Sequence, residues 1–276
     1  MKLDVVHRTH YAYAAPVRES FNEVRLRPVS NEDQTLDSFL LKVLPPVRLQ
    51  DYRDFYSNYV HHFDIPEPHD TLAIESRLRV TTHPRPGVSD EMRPVSRVHL
   101  KSALKADGLY DFVQASHYVD IAPETWRLAV DATQGEDDVW QCALRLMHFV
   151  REYVSYQSQS TQVHTHMREV LVHRHGVCQD FAHVMIGLCR TLQIPARYVS
   201  GYLATEKASA THAWTEVFVP GIGWVALDPT HDRQTDETYV KIGVGRDYFD
   251  VAPVKGTYRG TTEREMEVEV RIERRG

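Results

Sequence analysis

The sequence predicts an α+β fold, in which a small N-terminal β-sandwich precedes helices packed on an antiparallel sheet. Three observations carry that reading. The first 85 residues hold short strand-like runs punctuated by prolines. Two later stretches repeat apolar residues at helical spacing. Beyond Pro195 the pattern returns to strand alternation. At 276 residues the chain suits about two domains with a real core in each.

Taken in order, strand-like runs cover residues 2–13, 22–29, 36–44, 52–65 and 71–82, separated in part by Pro45-Pro46 and Pro66-Glu67-Pro68. Several short strands at this spacing suggest a small sandwich. Pro84-Arg85-Pro86-Gly87 opens an irregular stretch to about residue 122. The expected division is a β-domain over 1–85, a linker over 86–122 and a second domain over 123–276. Within the linker, 109–119 can dock on either domain. Pro123 opens a short helix through Val130. A second helix follows, with Val139, Cys142, Ala143, Leu146, Phe149, Val150 and Tyr153 at helical spacing. A third runs from Cys178, with Phe181, Val184, Met185, Leu188, Cys189 and Leu192 making one face apolar, and Pro195 ends it. Strands are expected near 196–204, 211–219, 223–229 and 239–244. The run 263–274 alternates charged residues with Met266, Val268, Val270 and Ile272. It reads as a half-buried strand that belongs to either domain.

The chemistry sits where the third helix begins. Gly176 offers a loop, and Cys178 follows at the helix N-terminus. A free thiol near pKa 8.5 is mostly protonated at neutral pH, and the helix dipole together with a partner imidazole favours the thiolate. Cys178 is therefore a candidate nucleophile rather than a small buried hydrophobe. Downstream, residues 211–219 alternate so that His212, Trp214, Glu216 and Phe218 share a face, and Trp224, Ala226 and Asp228 share a face of the returning strand. With Pro220-Gly221-Ile222 as the loop, Asp228 lies opposite Trp214 and is a diagonal neighbour of His212, roughly 5–8 Å away between Cβ atoms. An even-length loop would turn Asp228 to the wrong face. The set Cys178, His212 and Asp228 is a nucleophile, a base and a carboxylate to orient the base.

The motifs Gly176-Val177-Cys178-Gln179-Asp180-Phe181-Ala182, Ala196-Arg197-Tyr198-Val199-Ser200-Gly201-Tyr202, His212-Ala213-Trp214-x-Glu216-Val217 and Gly223-Trp224-x-x-x-Asp228-Pro229-Thr230 resemble the transglutaminase-like superfamily. Within it the chain is similar to the bacterial two-domain members, often described as cysteine proteases, with an N-terminal β-domain. The motifs span about residues 150–260, and the tail around 244–260 resembles the same group. The resemblance implies a papain-like/transglutaminase-like core, with Cys178 as nucleophile, His212 as base and Asp228 as its orienter. Ser57-Asn58 stands where the family pattern suggests Gly-Asn, which bears on a turn and not on catalysis. The Cys-to-His interval of 34 residues is also far shorter than the ~130–150 of papain-type proteases.

The expected function is acyl transfer through a thioester acyl-enzyme formed from a peptide or amide carboxamide, with hydrolysis as the outcome. Alternatives are a protein-glutamine transamidase, a non-catalytic peptide-binding module on the same scaffold and a metal-dependent hydrolase. The Cys178 N–H is the expected first oxyanion donor. A second is sought in 153–158, with Gln157 as the candidate. Trp214 and Trp224 either wall the acyl site or form aromatic core beside the hairpin. His164-x-His166 and His173-x-His175 offer zinc-like spacing, but these residues and His183 read as histidines bordering the site. No metal or cofactor is expected. A net charge of −6 indicates no general attraction to nucleic acid. No 18-residue apolar stretch or secretory h-region is visible, and three cysteines is a low, odd count. These point to a cytoplasmic protein acting on a peptide or protein substrate, with no membrane partner and an open oligomeric state. Cys142 and Cys189 fall on apolar helix faces as inert core.

Overall fold

The computed structural model describes the chain except residues 86, 89–93, 101–103, 105–107, 159–164, 205–208 and 276, and only the backbone of 209–210. The run expected at 2–13 continues unbroken to Val24 in one 23-residue strand, β1 (Lys2–Val24), so of the run expected at 22–29 only 22–24 is strand. Pro16 lacks an N–H, and the ladder to the neighbouring strand skips from Ala12 to Val17. At that bend β1 passes from one leaf of a sandwich to the other. Its first half pairs with β5 (His69–Thr82) and β14 (Arg264–Arg275), and β2 (Gln34–Leu44) lies beyond β5. Its second half pairs with β4 (Tyr59–Ile65) and β13 (Val254–Arg259), and β3 (Gln50–Arg53) lies beyond β4. Tyr11, Val24, Phe63, Leu72 and Ile74 fill the space between the leaves.

Two expectations are resolved here. The run 52–65 is two strands, because Asp54–Asn58 turns between them with Ser57 at φ 64°. The run 263–274, left open between the domains, pairs with β1 from Lys2↔Arg275 to Tyr13↔Arg264. Both ends of the chain therefore lie in the sandwich.

The second domain has an antiparallel sheet of order β11 (Arg233–Gln234), β10 (Gly223–Asp228), β9 (Ser209–Val219), β8 (Ala196–Ala204), β12 (Tyr239–Gly245). Its helices are α1 (Pro123–Thr133), α2 (Val139–Tyr153), α3 (Met167–His173), α4 (Cys178–Thr191) and α5 (Tyr248–Val251). Sequence periodicity marks one apolar face on α4, yet every residue from Gln179 to Thr191 is buried. The sheet covers one side of α4, and α1, α2, α3 and linker residues 110–113 cover the rest. Gly187 admits Met167, which a Cβ would meet at 2.5 Å. Arg190 is fully buried and donates to the carbonyls of Phe112, Gln114, Ala196 and Arg246. Those bonds dock linker residues 112–116 on the second domain.

The two domains meet along an apolar seam. Leu3, Val5, Leu78 and Val80 of the sandwich pack on Tyr202, Val240 and Ile242. The outer edge of β12 would otherwise expose backbone groups. Two side-chain amides satisfy it instead. Gln34 donates to Lys241 O at 2.7 Å and accepts from Lys241 N at 2.8 Å. Asn58 does the same at Val244, at 2.8 Å each way.

Candidate active site

Cys178 is the first residue of α4 and is half-buried. The loop before it is held from two sides. The Asp180 carboxylate accepts from Val177 N at 2.8 Å, and a Cβ on Gly176 would meet that carboxylate at 2.6 Å, so the position needs glycine. On the other side, β6 (Ser155–Tyr156) and β7 (His175–Gly176) pair in parallel, and Gln157 N donates to Gly176 O at 3.0 Å. The segment expected near the thiol thus runs directly beside its loop. The Gln157 side chain is exposed there.

His212 lies on β9 and Asp228 ends β10. The connection is the three-residue loop Pro220–Ile222, with Gly223 opposite Val219 and Leu227 opposite Thr215. That register is the one required for the pairing, and His212 Nε2 meets Asp228 Oδ2 at 2.7 Å. The remaining nitrogen, Nδ1, is left for Cys178, which lines the same cleft and helps to raise the imidazole. Burial disfavours the imidazolium, but Asp228 and Cys178 outweigh it and raise the imidazole to about 10.

Asp228 is fully buried and saturated with donors. Besides His212, it accepts from His231 Nδ1 at 2.8 Å, Tyr239 OH at 2.7 Å and Thr230 N at 2.9 Å. Burial works to raise its carboxyl, but the bonds from His212 and His231 hold it well below the usual range. Sequence reasoning missed His231 and Tyr239. His231 sits three residues past Asp228 in a proline turn, a local signal that was available. Tyr239 opens β12, 11 residues past Asp228 and separated from β10 in the sheet by β9 and β8, a placement that strand alternation does not give.

The two tryptophans separate. Trp214 is fully buried and stacks on His212 with centroids 6.2 Å apart. Gly201 stands opposite His212 on β8, and a Cβ there would lie 2.5 Å from the Trp214 ring and 2.2 Å from Val240 O. Trp214 therefore backs the imidazole rather than walling the cleft. Trp224 packs on Phe112 and Phe218 beneath the Arg197 guanidinium, and does not line the cleft. Alternation puts both tryptophans on the His212 face, but there Trp214 is packed among Val199, Leu203, Tyr239 and Val244 and Trp224 between Phe112 and Phe218.

Of the other histidines, His164 lies outside the described residues. His166 caps α3 by accepting from Arg168 N. His173 and His175 stack on each other. His183 is fully buried, accepts from Tyr248 N, and is lowered by burial to about 3. His212, Asp228 and His231 are the described set close enough to share a metal ion. Their ligand atoms are joined by hydrogen bonds. Cys142 and Cys189 are buried, and burial pushes the Cys142 thiol up to about 11 and Cys189 further. Among the described residues no helix is long and apolar enough to cross a membrane.

A cleft of about 250 Å³ opens over Cys178 and His212. Its far side is the sandwich, through His7 and Thr9 of β1 and Met266 and Val268 of β14.

Comparison with known proteins matches residues 127–229 to the transglutaminase-like superfamily and residues 3–81 to the bacterial transglutaminase-like N-terminal region. An uncharacterized protein of Mycobacterium leprae is 33% identical over 281 residues, covering 99% of each chain. A solved protein of Cytophaga hutchinsonii, provisionally described as a cysteine protease, aligns over 100% of this chain and 92% of its own with a TM-score of 0.78 and 24% identity, which establishes the shared fold. A protein-glutamine gamma-glutamyltransferase of Pseudomonas aeruginosa is 37% identical over 68 residues, which cover 21% of this chain and 10% of that protein.

Proposed function

This chain belongs to the transglutaminase-like superfamily, and from that premise we propose that it is a cysteine-nucleophile acyl-transfer enzyme that hydrolyses a peptide or amide carboxamide. One observation carries the reading: His212 is bonded through Nε2 to a buried Asp228 and shares one cleft with Cys178 at the start of α4. A non-catalytic peptide-binding module would have no use for that chain of three groups.

In the proposed reaction the Cys178 thiolate attacks the amide carbon. The developing oxyanion is met by the Cys178 N–H at the start of α4, and the Gln157 side-chain amide is the candidate second donor. Its own backbone N–H is already committed to Gly176. The His212 imidazolium gives its proton to the leaving nitrogen as the C–N bond breaks, which leaves a thioester and a neutral imidazole. Water then loses a proton to His212 and attacks the thioester. The acid leaves, and the thiolate–imidazolium pair is restored. Asp228 keeps the ring oriented throughout.

A second reading replaces water with an amine. It is favoured by the partial likeness to the Pseudomonas transamidase, while hydrolysis is favoured by a cleft whose described lining carries no carboxylate to hold a lysyl ammonium. The test is an amide-substrate screen with and without a labelled primary amine, with intact-mass detection of the thioester. Hydrolysis predicts acid product in both arms. Predominant amine incorporation would establish the transamidase, and turnover persisting in Cys178→Ala would end both readings.

A further inference from the structure

The reactive thiol belongs to the second domain, but half of the cleft around it does not. One face of β1 carries Leu3, Val5, His7, Thr9 and Tyr11, in register with Val80, Leu78, Ser76, Ile74 and Leu72 of β5. The near end of that face packs on the catalytic sheet, and the far end packs inside the sandwich. Between these two cores the face looks onto Cys178 and His212. His7 and Thr9 form its floor. His7 bonds Tyr202 OH at 2.9 Å and Thr9 Oγ1 at 3.1 Å, so its polar atoms are spent internally. Burial lowers His7 to about 4, which keeps it neutral.

The surface left facing the cleft is apolar. Met266 and Val268 of β14 stand beside Thr9 and Tyr11 and are 51% and 45% exposed. Their alternate neighbours Glu265, Glu267 and Glu269 are charged, so the strand is otherwise written for water. Val254 of β13 continues the apolar wall. None of the described lining residues is Asp, Glu, Lys or Arg. Exposed apolar groups that rim a nucleophile mark a binding surface rather than chance.

We propose that the N-terminal sandwich is one wall of the substrate site, and that Met266 and Val268 select acyl donors with an apolar side chain next to the reacting amide. The inference rests on the catalytic reading above and adds the substrate class. It gives the β-domain a role in recognition beyond its scaffold contacts at β12.

Two neutral probes that differ in apolar surface test it: N-benzyl-2-chloroacetamide and N-(2-hydroxyethyl)-2-chloroacetamide. Each rate at Cys178 is divided by the same reagent's rate with 2-mercaptoethanol. The wild-type chain should prefer the benzyl reagent by roughly tenfold, the effect of about 1.4 kcal/mol of apolar burial. The preference should fall toward unity in Met266→Glu and by a smaller factor in Met266→Ala, with near-UV circular dichroism showing that both variants are folded. Rapid Cys178 labelling with no preference, or a preference unmoved by both variants, would overturn the proposal and leave the catalytic reading standing. Labelling by both reagents no faster than an ordinary thiol would overturn the catalytic reading, and the proposal with it.

Discussion

The two walls of the cleft are built on opposite terms. On one side Asp228 is fully buried and accepts five hydrogen bonds, from His212, Tyr239, Thr230 N and both the ring and the backbone N–H of His231. On the other, Met266 and Val268 are half exposed and touch the cleft only through apolar surface. A buried, saturated network fixes geometry, and losing one member strands the rest. An apolar wall fixes little and tolerates exchange. Defects in the first wall should appear in the chemical step, whereas defects in the second should appear in substrate preference.

The harshest way to strain this contrast is Asp228→Ala. It removes the acceptor of two imidazoles and a phenol at once. The rate should fall by about 10³-fold or more with binding less affected, judged by kcat against KM on any substrate found. Full activity would remove Asp228 from the triad. Next is Gly201→Ala, at the seam behind His212. Its Cβ would collide with Val240 O and the Trp214 ring, which should cost about 1–3 kcal/mol in urea denaturation and slow Cys178 alkylation. Unchanged stability would mean that Trp214 does not brace the imidazole.

A pH titration of stability sharpens the comparison further. His7 is lowered to about 4 in the fold, against an ordinary value near 6.5. The unfolded chain therefore binds more protons between those values, and stability is lost as pH falls through that window, by up to about 3 kcal/mol from this residue. His212 runs the other way. It is raised to about 10, so its contribution is whole below 6.5 and is lost as pH rises toward 10. Thermal midpoints should peak between these limbs, with the acid limb flattened in His7→Gln. The smallest effect is Ser57→Gly. Ser57 holds φ 64° immediately before the interdomain clamp Asn58, and relief of that strain, less the entropy cost of glycine, should stabilise by about 0.5 kcal/mol. A destabilised Ser57→Gly would refute the strain at that turn.

The same contrast explains what could be read from the sequence. Cys178, His212 and Asp228 lie within 51 residues on a helix and a hairpin. Helical periodicity and strand alternation are local, and they put Asp228 beside His212 provided the loop is odd, a condition that the pairing itself required. The sandwich, the antiparallel sheet and the helices from 123, 139 and 178 were legible for the same reason. The opposite wall was not. β1 and β14 are over 250 residues apart, and nothing in Met266 or Val268 announces a cleft. Tyr239 was hidden for another reason: β12 is not a sheet neighbour of β10, so strand pairing gives no hint that the Tyr239 hydroxyl reaches Asp228. The roles of Trp214 and Trp224 could not be separated by alternation, which assigns a residue to a face but does not say what covers that face.

The most direct measurement is iodoacetamide labelling of the native protein across pH 4–9, read by peptide mass spectrometry at Cys142, Cys178 and Cys189. The account predicts rapid labelling of Cys178 well below pH 8, lost in His212→Ala, while buried Cys142 and Cys189 stay unlabelled. Labelling of Cys178 that rises only above pH 8, and equally in His212→Ala, would contradict the thiolate–imidazolium pair on which the proposed function rests.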